Sequence, residues 1–152
     1  MIKQTVAHLV AKFRTNDPFE LASLNNILVL FEPLGEMLGY FNTSRRLKMI
    51  HINAAAPLPE QRFTCAHELG HVFLHPKINT PFLHRNTLLS VDRIEREANA
   101  FAVELLIPDE MMEDGLTIYK AAAVCGVPEE VAHLKKVPKR GFWRDDDSYI
   151  KF

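Results

Sequence analysis

The stretch Phe63-Thr64-Cys65-Ala66-His67-Glu68-Leu69-Gly70-His71 decides how this chain is read. A helix advances about 100° per residue, so His67 and His71 point within roughly 40° of each other and lie about 6 Å apart along the axis. Two imidazoles so placed can share one metal ion. Glu68 then stands beside the ion rather than on it, where a carboxylate can take a proton from the attacking water. This is the HExxH arrangement of a zinc hydrolase. The competing reading is a buried helix whose two histidines are merely hydrogen-bonded.

The neighbours of the motif weigh against that competitor. Phe63, Ala66, Gly70, Phe73 and Leu74 fall on one side of the helix, next to the histidine face, so the imidazoles border a packed interior. Glycine inside a helix costs about 1 kcal/mol relative to alanine, and at Gly70 the cost is explained if another element packs hard beside His71. The helix opens at Pro59-Glu60-Gln61 and stops at Pro76. His75 continues the four-residue spacing, but it lies roughly 80° around and about 12 Å along the axis from His67. That is too far for one tetrahedral ion, so His75 reads as a helix-terminal residue or a polar group of the cleft.

Asp92 to Leu106 is the second element that carries chemistry. On a helical wheel Ala98, Asn99, Ala102, Leu105 and Leu106 lie within about 80° of Glu95. Glu97 lies roughly 200° away and reads as a solvated carboxylate near Arg93, whose loss would be close to neutral. A buried carboxylate is costly unless paired or bound to metal. The small residues Ala98 and Ala102 allow the close approach that Gly70 and Ala66 ask for. Glu95 thereby completes a His67, His71, Glu95 site with a fourth position open, and Asn99 is placed to accept a hydrogen bond from a ligand imidazole. The alternative for Glu95 is a buried salt bridge to Arg62 or Arg96.

These linked motifs, Arg62 to His71 with Leu74-His75, and Glu95 to Ala102 with Leu105 to Pro108, resemble the ImmA/IrrE metallopeptidases of bacteria, phages and integrative elements. The resemblance is dense from about Ile50 to Pro108. It implies a zincin-like fold, zinc on the two histidines and the glutamate, and Glu68 as general base. It also implies a substrate, a cytosolic helix-turn-helix repressor of a phage, mobile element or stress regulon. Asn99 stands where zincins of the glutamate class often carry an aspartate.

Around these motifs, 152 residues with 47% hydrophobic content suffice for one core. The chain reads as a single domain over 1–152, with a core of about 1–115 and a C-terminal helical part and tail over 116–152. A net charge of -1 gives no general attraction to nucleic acid or to an anionic membrane. Cys65 and Cys125 form no CxxC pattern and read as reduced thiols. No signal peptide and no run of ~18 apolar residues is evident, so a cytoplasmic setting is expected.

Residues 2 to 14 read as an amphipathic helix, and Asp17-Pro18 starts a short second one. Apolar runs at Ile27 to Phe31, Met37 to Phe41 and Leu47 to Asn53 read as strands, the last two a hairpin. The expected architecture is α+β, a small antiparallel sheet packed on helices, with the cleft between the HExxH helix and an edge strand. A substrate segment is expected to add to the hairpin edge at Met49 to Asn53, beside a loop over residues 76–90. Tyr40, Tyr119, Tyr149, His51 and His84 are unranked candidates for stabilising an oxyanion. Leu116 to Lys136 reads as helix, turn, helix, but Glu129 and Glu130 open its second helix, where base and phosphate contacts would be made, and weigh against DNA binding. The charged run from Lys135 to Asp147 reads as a solvated tail. The alternative function is a zinc-containing module that inactivates a repressor by contact without cleavage.

Overall fold

The computed structural model describes residues 1–77, 83–84 and 88–137. The strand β3 (Leu47–Asn53) has the least to expose, since Ile50, His51, Ile52 and Asn53 are all buried. It accordingly takes the centre of a three-stranded sheet, between β1 (Ile27–Glu32) and β2 (Gly39–Ser44). β2 runs antiparallel to β3, from Gly39 opposite Ile52 to Ser44 opposite Leu47. β1 runs parallel to it, from Ile27 opposite Lys48 to Glu32 opposite Asn53. The sheet is therefore mixed, where an antiparallel one was expected. The turn Arg45-Arg46, both residues left-handed at φ 50 and 69, folds β3 directly back on β2. The other side of β3 is then open to β1. With both its sides paired, Met49 to Asn53 offers no edge to a substrate, and the sheet's edges belong to β1 and β2.

Helix α1 (Ile2–Phe13) buries Val6 and Leu9. In α2 (Pro18–Leu24), Asp17 caps the N-terminus by accepting from the Phe19 amide at 2.9 Å, and Leu21 and Ala22 enter the core. Helix α3 (Leu58–Leu74) is buried at every position from Phe63 to Val72, with strands β2 and β3 and the helix α4 (Arg93–Leu106) packed around it. Asp92 caps α4 through the Ile94 amide at 2.9 Å. Full burial of side chains such as Phe63, Leu69, Phe101 and Leu105 contributes about 1.5–3 kcal/mol each, and these residues join the two helices that carry the candidate site.

The contact between α3 and α4 is as close as the small residues suggest. A Cβ added at Gly70 would lie 3.1 Å from Ala98 Cα, Ala98 O and Phe101 Cβ. Two of these are backbone atoms, so an alanine has to displace α4 as a whole. Overpacking of about 1–3 kcal/mol then outweighs the ~1 kcal/mol gained in helix propensity. Gly70→Ala is expected to destabilise the fold by about 1 kcal/mol on that balance, read by denaturant titration.

After α4 come α5 (Asp109–Glu113), α6 (Ile118–Cys125) and a 3-10 helix over Glu129–Leu134. Ala121, Ala122, Val127, Val131 and Ala132 belong to the same hydrophobic core as α3 and α4. That packing carries Lys135 inward, so it is not part of a solvated tail: its side chain is 1% exposed. Lys135 Nζ donates to Glu104 Oε1 at 2.9 Å and Asp109 Oδ1 at 2.6 Å, and Lys3 Nζ from α1 reaches the same two oxygens at 3.1 and 2.6 Å. Glu104 Oε2 accepts from the Lys136 amide at 2.8 Å. Removing one partner of a buried pair leaves the other charge uncompensated, so Glu104→Ala is expected to cost about 3 kcal/mol, measurable by urea unfolding. Burial alone would raise the Asp109 carboxyl, but hydrogen bonds from Lys135 and Lys3 outweigh it and hold it below its ordinary range. Because the folded value lies below the unfolded one, this contribution is present above the ordinary carboxylate pKa and is lost as pH falls through the folded value. Lys136 and Val137 are exposed, and residues 138–152, which hold the rest of the charged run and Tyr149, lie outside the described residues.

Cys65 and Cys125 are both free thiols, and burial pushes the Cys65 thiol up, keeping it neutral. Among the described residues no helix is long and apolar enough to cross a membrane.

Candidate metal centre

α3 presents His67, Glu68 and His71, and α4 presents Glu95 and Asn99, all buried where the two helices meet. His67 Nε2 lies 3.1 Å from Glu95 Oε1, and His71 Nε2 lies 3.2 Å from Glu95 Oε2. Ligand atoms of His67, His71 and Glu95 all fall within 4.8 Å of one another. The alternative pairing of Glu95 is not taken: Arg62 sits 3.6 Å from Asp17, and Arg96 is exposed.

Proton placement follows from the partners. Asn99 Oδ1 can only accept, so His67 Nδ1 donates to it at 2.8 Å and the Nε2 lone pair is left facing Glu95. His71 Nδ1 is engaged at 3.0 Å by His75 Nδ1. Both imidazoles thus turn Nε2 toward the same small volume. His71 Nε2 and Glu95 Oε2, although within ion-pair distance, are not aligned as a hydrogen bond, and both are buried without another partner. Both oxygens of Glu68 are buried and unpartnered as well. Unsatisfied buried groups are costly, and a cation among two imidazole nitrogens and a carboxylate satisfies them. The donor set fits zinc, which takes nitrogen and oxygen ligands with a fourth position left open.

Negative charge lodges unequally on the two carboxyls. Burial would raise the Glu95 carboxyl, but the His67 and His71 contacts outweigh it and hold it at about 2. Burial pushes Glu68 up to about 8, with His71 opposing the rise and Glu95 adding to it.

His75 carries no ligand atom into the cluster, because its Nε2 meets Glu97 Oε1 at 2.8 Å. Glu97 is therefore not the freely solvated carboxylate that the helical wheel indicates. Its side chain is 32% exposed, and it lies beside Arg93 Nη1 at 3.5 Å. Sequence reasoning missed this pairing although both residues stood in the motifs. Of the oxyanion candidates, His51 and Tyr40 are stacked at 4.2 Å on the face of the sheet opposite Ile50 and Ile52. There His51 is bonded to Glu32 through Nδ1 and to Asn42 through Nε2. Tyr119 and His84 are exposed.

The peptidase M78 family model, described as the IrrE N-terminal-like domain, matches residues 22–135. An uncharacterized immunity region protein 2 of Bacillus phage phi105 is 46% identical over 140 residues, covering 89% of this chain and 89% of that protein. Metallopeptidase ImmA of Bacillus subtilis (strain 168) is 32% identical over 142 residues, covering 88% of this chain and 83% of that protein.

Proposed function

Because the chain belongs to the ImmA/IrrE family of metallopeptidases, we propose that it is a zinc-dependent endopeptidase in which His67, His71 and Glu95 hold the ion and Glu68 is the general base. Its fold is the zincin-like α+β arrangement, with a mixed three-stranded sheet packed on helices. The observation that carries the reading is the convergence of His67 Nε2, His71 Nε2 and the Glu95 carboxylate in a buried volume, with each imidazole's other nitrogen already bonded.

A divalent cation held there supplies Lewis acidity toward the scissile carbonyl and a lowered pKa for the attacking water. The rest is the work of side chains. Glu68, next to His67 and free of other partners, takes the water's proton and delivers it to the leaving amine. Asn99 fixes the tautomer and the orientation of His67. Burial of the whole cluster keeps bulk water from competing for these groups.

The substrate in this reading is a cytosolic helix-turn-helix repressor, and the whole of 1–152 acts as one peptidase domain. Support comes from the family and from the immunity-region name carried by the phage relative. The edge that takes an extended substrate segment is β2. A Cβ on its residue Gly39 would lie 2.6 Å from Thr64 Cγ2, one turn before His67, so the edge passes beside the site. At Gly39 this edge is already paired antiparallel with Leu83, through Leu38 N to Leu83 O and Leu83 N to Gly39 O, each 2.8 Å, so a substrate segment that adds there displaces Leu83. Folded repressors expose few extended segments, so cutting falls in a linker or a locally unfolded stretch.

The test incubates zinc-loaded protein with the repressor encoded beside its gene and with unrelated unfolded proteins, and maps products by mass spectrometry. A single cut confined to the repressor is expected. Indiscriminate cutting would indicate a general peptidase, and stable binding without a cut would indicate a non-enzymatic module.

A further inference from the structure

We infer that His75 and Glu97 form a charged relay that fixes and polarises His71, which makes them positioning residues of the metal centre. The inference rests on the proposed ligand set of His67, His71 and Glu95, and deepens it.

The protons along this line can be placed in only one way that leaves His71 able to ligate. The Glu97 carboxylate only accepts, so His75 Nε2 carries a hydrogen and donates it at 2.8 Å. If His75 Nδ1 also carried one, His71 Nδ1 would have to accept, and the hydrogen of His71 would sit on Nε2, facing Glu95. With His75 neutral, its Nδ1 lone pair accepts from His71 Nδ1–H at 3.0 Å, and His71 Nε2 keeps its lone pair for a metal. Each link therefore sets the next, from carboxylate to imidazole to imidazole. Both ring nitrogens of His75 are used in this way, which also removes it from consideration as a ligand.

The backbone shows why the line forms. His75 is the residue at which α3 ends: its φ of -132 and ψ of 53 leave the helix, while its amide still donates to His71 O at 2.8 Å. The ring is thus placed against His71, with centroids 5.2 Å apart, and is almost fully buried. Around the α4 axis Glu95 lies about 60° to one side, and Glu97 about 100° to the other side, of Ala98, the residue that touches Gly70. The helix contact therefore brings one carboxylate to the imidazole Nε2 atoms and the other to the outer nitrogen of His75.

The two ligand histidines are consequently backed by different chemistry. His67 donates to a neutral amide, whereas His71 donates to an imidazole that is itself held by a carboxylate. Hydrogen bonding toward negative charge raises the basicity of a ligand imidazole, so His71 is the more strongly polarised of the two. Arg93, 80% exposed beside Glu97, adds little.

The measurement is zinc affinity by chelator competition on the full chain, together with the visible spectrum of the cobalt(II)-loaded protein. Glu97→Ala and His75→Ala are expected to lower zinc affinity by about 10- to 100-fold and to shift the cobalt bands. In His75→Asn the amide oxygen takes the place of Nδ1 as acceptor, and part of the loss is recovered. In that background the link to Glu97 is gone, so adding Glu97→Ala changes nothing further. Because Glu97 is partly exposed, its variant keeps the test open should His75→Ala fail to fold. Unchanged zinc affinity in Glu97→Ala, or an equal loss from it in both backgrounds, would overturn the relay. Glu95→Ala separates the two claims: if it loses zinc while Glu97→Ala does not, the relay alone fails, and if neither loses zinc, the ligand set fails.

Discussion

Glu68→Gln is expected to bind metal like the wild type and to lose hydrolysis. The substitution keeps the shape of the side chain and leaves His67, His71 and Glu95 untouched, so the proposed donor set stays whole. What it removes is the atom that accepts and returns a proton. General acid–base catalysis is worth about 10²–10⁴-fold in rate, or roughly 3–5 kcal/mol of transition-state stabilisation. Stability should not fall with activity. The wild-type carboxyl is fully buried with neither oxygen partnered, so an amide of the same shape breaks no hydrogen bond. A melting temperature equal to or above that of the wild type, with full metal occupancy and no turnover, is the expected set of results. Equal metal loss in Glu68→Gln and His67→Ala would make Glu68 a structural group instead.

Glu95→Ala is expected to reduce metal affinity by more than the 10- to 100-fold typical of outer partners, because it removes the only proposed oxygen ligand. It should also destabilise the metal-free fold. The Glu95 carboxyl is held at about 2 by its contacts with His67 and His71, and without it His67 Nε2 loses its contact with Glu95 Oε1 at 3.1 Å, whereas His71 Nε2 is unpartnered in the wild type as well. One buried group left without its partner costs about 1–3 kcal/mol. Isothermal titration with zinc and thermal unfolding without it measure the two effects separately. Wild-type affinity in this variant would mean that α4 supplies no ligand.

The convergence of three side chains was legible because it depends on local spacing. His67 and His71 share a face through four-residue periodicity, and Glu95 lies among Ala98, Asn99 and Ala102 on the stripe that meets Gly70. Residues whose placement depends on where an element ends or what lies across from it were not legible. His75 leaves helical geometry at φ -132, so a wheel extended through it points the ring the wrong way. The turn Arg45-Arg46 lacks the Asn-Gly pattern that marks such turns. The strand run therefore extends to Ser44, beyond the expected Phe41. The unbroken apolar run of β1 is the pattern typical of a parallel strand, as its pairing with β3 is, yet Leu28 and Phe31 are exposed, so burial on both faces does not account for that pairing. Lys135 looks like part of a charged tail until Val131 and Ala132 are seen in the core and Glu104 is found waiting on α4.

Peptide hydrolysis by this centre is most directly tested by digesting the neighbouring repressor in water enriched in the heavy oxygen isotope. The N-terminal fragment is expected to carry one heavy oxygen in its new carboxylate, and zinc-loaded Glu68→Gln to yield no fragment. An intact repressor, held stably by a fully zinc-loaded wild-type protein, would contradict it.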